Sequence, residues 1–246
     1  MPDPVTRPVR GAEPGEGHGR PESAGQREAR PHRELRGLVV DWGGVLTTAL
    51  QDCMSAWCEA DGIDYARFRA VMREWLADGT SGGNPAHGLE RGELHPAEFE
   101  KVLAERLTTR DGRPVEPVGL LDRMFAAFDH DHGMVGVVRR ARQAGIRTAL
   151  CSNSWGNDYP REGWDELFDA VVISGEVGMR KPEPRIYLHT ARALGLAPHE
   201  CVFVDDLPHN VQGAVATGMV GVRHVSAEQT TEELEALFGL RLSEPS

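Results

Sequence analysis

Three short apolar runs in this chain each stop at polar groups, which limits the architectures open to it. Leu38-Val39-Val40 runs into Asp41 and then Gly43-Gly44. Thr148-Ala149-Leu150-Cys151 runs into Ser152-Asn153-Ser154, and Cys201-Val202-Phe203-Val204 runs into Asp205-Asp206. Such runs are too short for helices and read as buried strands. Val171-Val172-Ile173 and Val220-Gly221-Val222 read as further strands. Between them, helical patterns stop at Gly145, Gly195, Gly218 and Gly239, and a glycine just past a helix is a C-cap signal. Strands alternating with helices predict an α/β fold with a parallel sheet covered on both faces.

Residues 50–130 break that rhythm. Ala49–Ala60, Tyr65–Ala77, Pro96–Leu107 and Val118–Phe128 carry amphipathic patterns, separated by breaks such as Gly79–Gly83, and no strand pattern intervenes. An all-helical cap inserted after the first strand is expected. Residues 1–34 hold no aromatic side chain, and their six arginines are balanced by six acids. Such a segment has too little apolar surface to offset the entropy of ordering it and is expected to be a disordered tail. The expected organisation is a tail over 1–34, a core over 35–48 and 131–242, and a cap over 49–130.

Charge and hydropathy exclude several classes. The chain has 27 Lys+Arg against 38 Asp+Glu, a formal net charge of −11. That is the wrong sign for a sequence-independent nucleic-acid binder. No apolar run approaches the roughly 18 residues a membrane span needs. The N-terminus lacks the apolar segment of a secretory signal. Cys53, Cys58, Cys151 and Cys201 form no CxxC pair and read as reduced, buried or half-buried thiols. A cytoplasmic protein, with no nucleic-acid or membrane partner, is the expectation.

In an open parallel sheet, ligands bind beyond the carboxyl ends of the strands. Asp41, Ser152, Asn153, Asp205 and Asp206 end three strands there, and Lys181 follows a fourth in Gly178-Met179-Arg180-Lys181-Pro182. If these strands are neighbours, three carboxylates crowd together, which raises their pKa values. A divalent cation relieves the repulsion, and hard oxygen ligands suit Mg²⁺. Ser152, Lys181 and local backbone N–H groups would then hold phosphate oxygens. Asp41 would attack phosphorus to form an aspartyl phosphate.

Four stretches in order resemble the haloacid dehalogenase-like (HAD-like) hydrolase superfamily. They are Val39-Val40-Asp41-Trp42-Gly43-Gly44-Val45-Leu46-Thr47, Leu150-Cys151-Ser152-Asn153-Ser154-Trp155, Gly178-Met179-Arg180-Lys181-Pro182-Glu183-Pro184-Arg185-Ile186-Tyr187, and Phe203-Val204-Asp205-Asp206-Leu207-Pro208-His209-Asn210-Val211. The second stretch and Gly43-Gly44-Val45-Leu46 look most like the branch containing the N-terminal phosphatase domain of soluble epoxide hydrolases. The resemblance implies a Rossmann-like sheet with a helical cap and a Mg²⁺-dependent phosphatase acting on a small phosphorylated metabolite. It implies Asp41 as nucleophile and metal ligand, and Lys181 as the cation that stabilises the phosphoaspartate. Ser152, with Asn153 beside it, matches the phosphate-binding position. Asp206 matches the metal-binding acid, with Asp205 supporting or sharing that role, and the Gly43 backbone carbonyl matches a further metal ligand.

One position departs from that pattern. Family phosphatases carry a second Asp two residues after the nucleophile, which protonates the leaving oxygen, and here that residue is Gly43. General acid help is worth about 10²–10⁴ in rate, so its loss weighs most on poor leaving groups. Asp52, His87 and His95 are candidates by residue type to replace it. The loss keeps open a phospho-ligand-binding module with little turnover. A dehalogenase-type enzyme is disfavoured by the retained acid pair, and a phosphonate hydrolase would need a cap lysine, for which the cap offers Lys101. His130-Asp131-His132 reads as a solvated turn rather than a zinc site. Trp42 and Trp155 flank the expected crevice, and Glu90-Arg91-Gly92-Glu93-Leu94 reads as a solvated charged face.

Overall fold

The structure, a computed structural model, describes residues 34–76, 83–126, 128–156 and 159–244. Residues 1–33 of the expected tail, the expected helix end at Ala77 and most of the Gly79–Gly83 break lie outside the described residues. In chain order, β1 (Gly37–Val40) is followed by α1 (Leu50–Ala60), α2 (Tyr65–Trp75), α3 (Pro85–Glu90), α4 (Pro96–Arg106) and α5 (Leu120–Phe125). Then come α6 (His132–Gln143), β2 (Arg147–Ser152), α7 (Trp164–Leu167), β3 (Ala170–Ile173), α8 (Ser174–Val177) and α9 (Pro184–Ala193). The chain continues with β4 (Cys201–Asp205), α10 (Pro208–Ala216), β5 (Val220–Arg223) and α11 (Ala227–Phe238).

Alternation along the strands sets the layers, because successive side chains point to opposite faces. Leu38, Val40, Leu150, Val202 and Val204 pack on one face with Met134, Val137 and Ala141 of α6 and Leu234 of α11. Val39, Ala149, Cys151 and Phe203 pack on the other with Ile186, Tyr187 and Ala191 of α9 and Ala214 of α10. The sheet is parallel throughout, in the order β3-β2-β1-β4-β5. β1 is therefore central, with Val40 beside Leu150 of β2 on one side and Val204 of β4 on the other. All four cysteines are buried, and burial pushes the Cys151 thiol up to about 11, which keeps it protonated.

α1 to α5 build an apolar cluster of their own around Trp57, Phe68, Trp75, Phe99, Leu103 and Met124. Each such side chain, fully buried, contributes about 1.5–3 kcal/mol. The helical layer and the sheet layers belong to one compact unit. α3 is an element that the hydrophobic pattern does not reveal. Its six residues are too few to show a period, and it starts because the Asn84 side chain accepts from the Ala86 and His87 N–H groups, with Pro85 in the first turn. α11 begins at Ala227 because Ser226 Oγ accepts from Gln229 N at 3.2 Å. Among the described residues no helix is long and apolar enough to cross a membrane.

α10 lies so close to the chain after Lys181 that a side chain at Gly213 has no room. A Cβ there would sit 2.8 Å from Pro182 Cβ, 2.9 Å from its carbonyl oxygen and 2.9 Å from the Tyr187 hydroxyl. Gly213→Ala should therefore lower stability by about 1–3 kcal/mol through overpacking, read from the urea midpoint. An unchanged midpoint would show that the backbone can shift away at no cost.

Candidate active site

The strand order brings the polar strand ends together. Asp41 follows β1 directly, held in sheet register by its N–H bond to the Val204 carbonyl at 3.0 Å. Ser152 ends β2, and Asp205 ends β4, with Asp206 next. Because β1 lies between β2 and β4, Asp41 stands between the serine and the acid pair. Lys181 arrives from the loop between α8 and α9. Its ammonium is buried and bridges Asp41 Oδ1 at 2.8 Å and Asp205 Oδ2 at 2.6 Å.

The two acids of the pair are used differently. Asp205 is filled by protein donors: Leu207 N at 2.9 Å and Asn210 Nδ2 at 3.0 Å on Oδ1, and Lys181 Nζ at 2.6 Å and Asn210 Nδ2 at 3.1 Å on Oδ2. Among the described residues, Asp206 Oδ1 is buried with no hydrogen-bond partner. One carboxylate oxygen each from Asp41, Asp205 and Asp206 lie within 4.8 Å of one another. Burial, followed among the raising effects by Asp205 and Asp206, pushes Asp41 up to about 8 against the opposing pull of Lys181. Burial and then Asp205 push Asp206 up to about 6. Burial also works to lower the Lys181 pKa, but Asp205 and Asp41 together hold it well above the usual lysine range. Three carboxylates facing one ammonium, with an orphaned carboxylate oxygen among them, fit a divalent cation. Asp41 Oδ1 is taken by Lys181 Nζ at 2.8 Å and Trp42 N at 2.7 Å, and Asp205 mainly holds Lys181, so Asp206 is the acid of the three with an oxygen left over.

Asn153 sits beside this cluster, with its amide on the Lys181 backbone. Its Oδ1 accepts from Lys181 N at 2.8 Å, and its Nδ2 donates to the Lys181 carbonyl at 3.1 Å. Ser152 Oγ lies 3.0 Å from the hydroxyl of Tyr159, a residue the sequence reading missed. Tyr159 packs in turn against Trp42 and Trp164. Gly43 lines the same cleft, and a Cβ there would meet Leu50 Cδ2 at 3.3 Å.

The cleft has a volume of about 890 Å³ and runs from Asp41 and Ser152 into the helical layer, past Met54, Phe68, Met72 and Phe125. Of the side chains considered as replacements at Gly43, His95 lines this cleft, with its Nδ1 accepting from Ala97 N at 3.3 Å. Asp52 is exposed on α1, and His87 does not line the cleft. Lys101 is exposed on α4. His130 lines the cleft with its ring against Trp42, and Asp131 caps α6.

The expectation of a solvated face over Glu90–Leu94 holds at the exposed Gly92 and Glu93 but is corrected at Glu90 and Arg91. Glu90 is buried and paired with Arg180, while Arg91 pairs with Glu183. These partners lie about ninety residues downstream in the chain, beyond any local pattern.

The haloacid dehalogenase-like hydrolase model matches residues 35–218. The chain belongs to that family. This HAD-like hydrolase is 33% identical over 147 residues to the glyceraldehyde 3-phosphate phosphatase of Methanopyrus kandleri, covering 54% of this chain and 60% of that protein. It is 26% identical over 223 residues to bifunctional epoxide hydrolase 2 of Sus scrofa, covering 85% of this chain and 40% of that protein. The chain thus spans less than two thirds of either relative. Its fold is similar to that of a HAD family enzyme from Bacteroides thetaiotaomicron, solved in complex with magnesium and inorganic phosphate. The TM-score is 0.57 at 21% identity, over 78% of this chain and 94% of that one.

Gly44 lets Asp206 approach. Its φ is +75°, and a Cβ there would lie 2.7 Å from Asp206 Oδ2. Gly44→Ala should weaken Mg²⁺ binding about 10–100-fold, the usual cost of displacing a ligand's support, in calorimetric titration of folded protein. Unchanged affinity would remove Asp206 from the ligand set.

Proposed function

We propose that this HAD-like hydrolase is a Mg²⁺-dependent phosphatase that acts on a small phosphate monoester through an aspartyl phosphate. The observation that carries the reading is the open Asp206 oxygen beside Asp41, with Lys181 bridging Asp41 and Asp205. Asp41, Asp206 and the Gly43 carbonyl would hold the cation, with Asp205 in support. Burial, with Asp205 and Asp206 nearby, raises the Asp41 carboxyl to about 8 and so disfavours the ionised form that attacks. Mg²⁺, when bound, supplies the positive charge that keeps Asp41 ionised and offsets the charge of the phosphoryl oxygens.

The protein side chains do the rest. Ser152 and Lys181 bind phosphoryl oxygens, and Lys181 keeps Asp41 aimed at phosphorus. The Asp41 carboxylate forms a bond to phosphorus as the ester oxygen leaves with the bonding pair. Water then attacks the phosphoaspartate, releasing phosphate and restoring Asp41. Asn153 fixes the Lys181 backbone rather than adding charge. The helical layer acts as a cap that excludes water. With no side chain at Gly43 to protonate the leaving oxygen, the site favours aryl or acyl phosphates over alkyl ones. The apolar cleft favours an apolar organic part.

Gly43 also supports a second reading, a module that binds a phosphorylated ligand and turns it over little. p-Nitrophenyl phosphate separates the two readings, because p-nitrophenolate leaves without a proton. Release should require both Mg²⁺ and Asp41, and Asp41→Asn should lower kcat by more than about 10³-fold in a protein that still folds. Appreciable turnover by Asp41→Asn would remove Asp41 as nucleophile, and no turnover by Mg²⁺-loaded wild type would favour the binding module. Gly43→Asp requires Leu50 to shift by a few tenths of an ångström. It should raise hydrolysis of an alkyl phosphate by up to about 10²-fold, and no gain in a folded variant would place the leaving-group acid elsewhere.

A further inference from the structure

The helical layer reaches the catalytic end of the sheet through a buried carboxylate. Glu90 closes α3 and is 4% exposed. Its Oε2 accepts from Arg180 Nε, and its Oε1 accepts from Asn153 Nδ2 at 3.3 Å and Trp155 Nε1 at 3.4 Å. Asn153 in turn clamps both ends of Lys181: it accepts from Lys181 N at 2.8 Å and donates to the Lys181 carbonyl at 3.1 Å. With Lys181 N on the amide oxygen and Glu90 and the Lys181 carbonyl sharing the amide nitrogen, the carboxamide has one orientation. Lys181 is itself buried between Asp41 and Asp205. The path from the helical layer to the nucleophile is thus Glu90, Asn153, Lys181, Asp41, with a polar contact at each step.

We propose that Glu90 is a positioning residue: it orients Asn153, and through it the Lys181 ammonium, so that the bridge to Asp41 is set when the helical layer is seated on the sheet. This rests on the reading that Lys181 keeps Asp41 in the reacting position. The competing role is simpler, with Glu90 serving only as counter-ion to the buried Arg180. The two differ in what a neutral hydrogen-bond acceptor at position 90 would do. Gln still accepts from Asn153 but carries no charge for Arg180.

The sequence provides a direct probe, because its two lysines are Lys101, exposed on α4, and the buried Lys181. Protein labelled with ¹⁵N at the lysine Nζ gives two ammonium signals, with Lys101 as internal control. In Glu90→Ala, hydrogen exchange at the Lys181 ammonium should speed up at least about tenfold, and kcat for p-nitrophenyl phosphate should fall about 10²-fold with KM little changed, the scale of an ångström misplacement. Glu90→Gln should stay within about threefold of wild type in both. Glu90→Ala/Asn153→Ala should be no worse than Asn153→Ala alone, since residues acting in series do not add.

Wild-type exchange and kcat in folded Glu90→Ala would overturn the proposal, as would additive losses in the double variant. A Gln variant as impaired as Ala would reduce Glu90 to a counter-ion and overturn it equally. If Glu90→Ala does not fold, Glu90→Leu/Arg180→Leu leaves neither charge uncompensated and carries the exchange test. Fast Lys181 exchange there supports positioning, and wild-type exchange overturns it. If Lys181 exchange responds to Glu90 while wild type turns over no substrate, the phosphatase reading fails and the positioning stands. If Asp41→Asn abolishes turnover but Lys181 ignores Glu90, only the positioning fails.

Discussion

The Lys181 ammonium, fully buried and held 2.8 Å from Asp41 and 2.6 Å from Asp205, sets the terms for the surrounding structure. A buried ion costs several kcal/mol in lost hydration, recovered only when its partners are close and fully engaged. Those partners belong to two neighbouring strands, so the ammonium joins β1 to β4 at their carboxyl ends. The loop that delivers Lys181 must then be fixed, and it is fixed from the far side of β1 by Asn153, just past β2. Segments that follow three adjacent strands, and one loop, thus meet at one lysine.

That bridge also explains why two adjacent acids serve different ends. Asp205 is saturated by Lys181, Asn210 and the Leu207 amide, so its charge is spent within the protein. Asp206 keeps a buried oxygen without a partner, and the backbone of Gly44 gives it space. One member of the pair builds the scaffold, and the other keeps an oxygen that the protein does not use.

The helical layer completes the site in two ways. It lines the cleft with aromatic and thioether side chains, and through Glu90 it sends one carboxylate down to the loops that carry Asn153 and Arg180. The open backbone at Gly43 faces this cleft. The charged groups thus sit at the strand ends of the sheet, and the apolar lining of the cleft comes from the helices.

Much of this was legible in the chain itself. Five strands, their covering helices, and Asp41, Ser152, Asp205 and Asp206 at the strand ends could be read because each depends on a few consecutive residues: an apolar run, then a polar stop; Lys181 was legible from its own motif, although α8 separates it from β3. The helical character of the segment after β1 was equally local. α3 escaped because six residues show no period, and its start depends on one Asn84 cap. Glu90 was misread because a charge run looks solvated until its partners are known, and Arg180 lies ninety residues away in the chain. Tyr159 beside Ser152 left no trace in the residue pattern, and the hydrogen bonds that saturate Asp205 but not Asp206 come from Lys181, Asn210 and Leu207, which no strand pattern links to it. Strand patterning is a local property, so the residues alone specify the sheet and the residue types gathered at its edge. The tertiary structure alone decided which of those groups are paired, buried or left open, because pairing depends on distances between segments far apart in the chain.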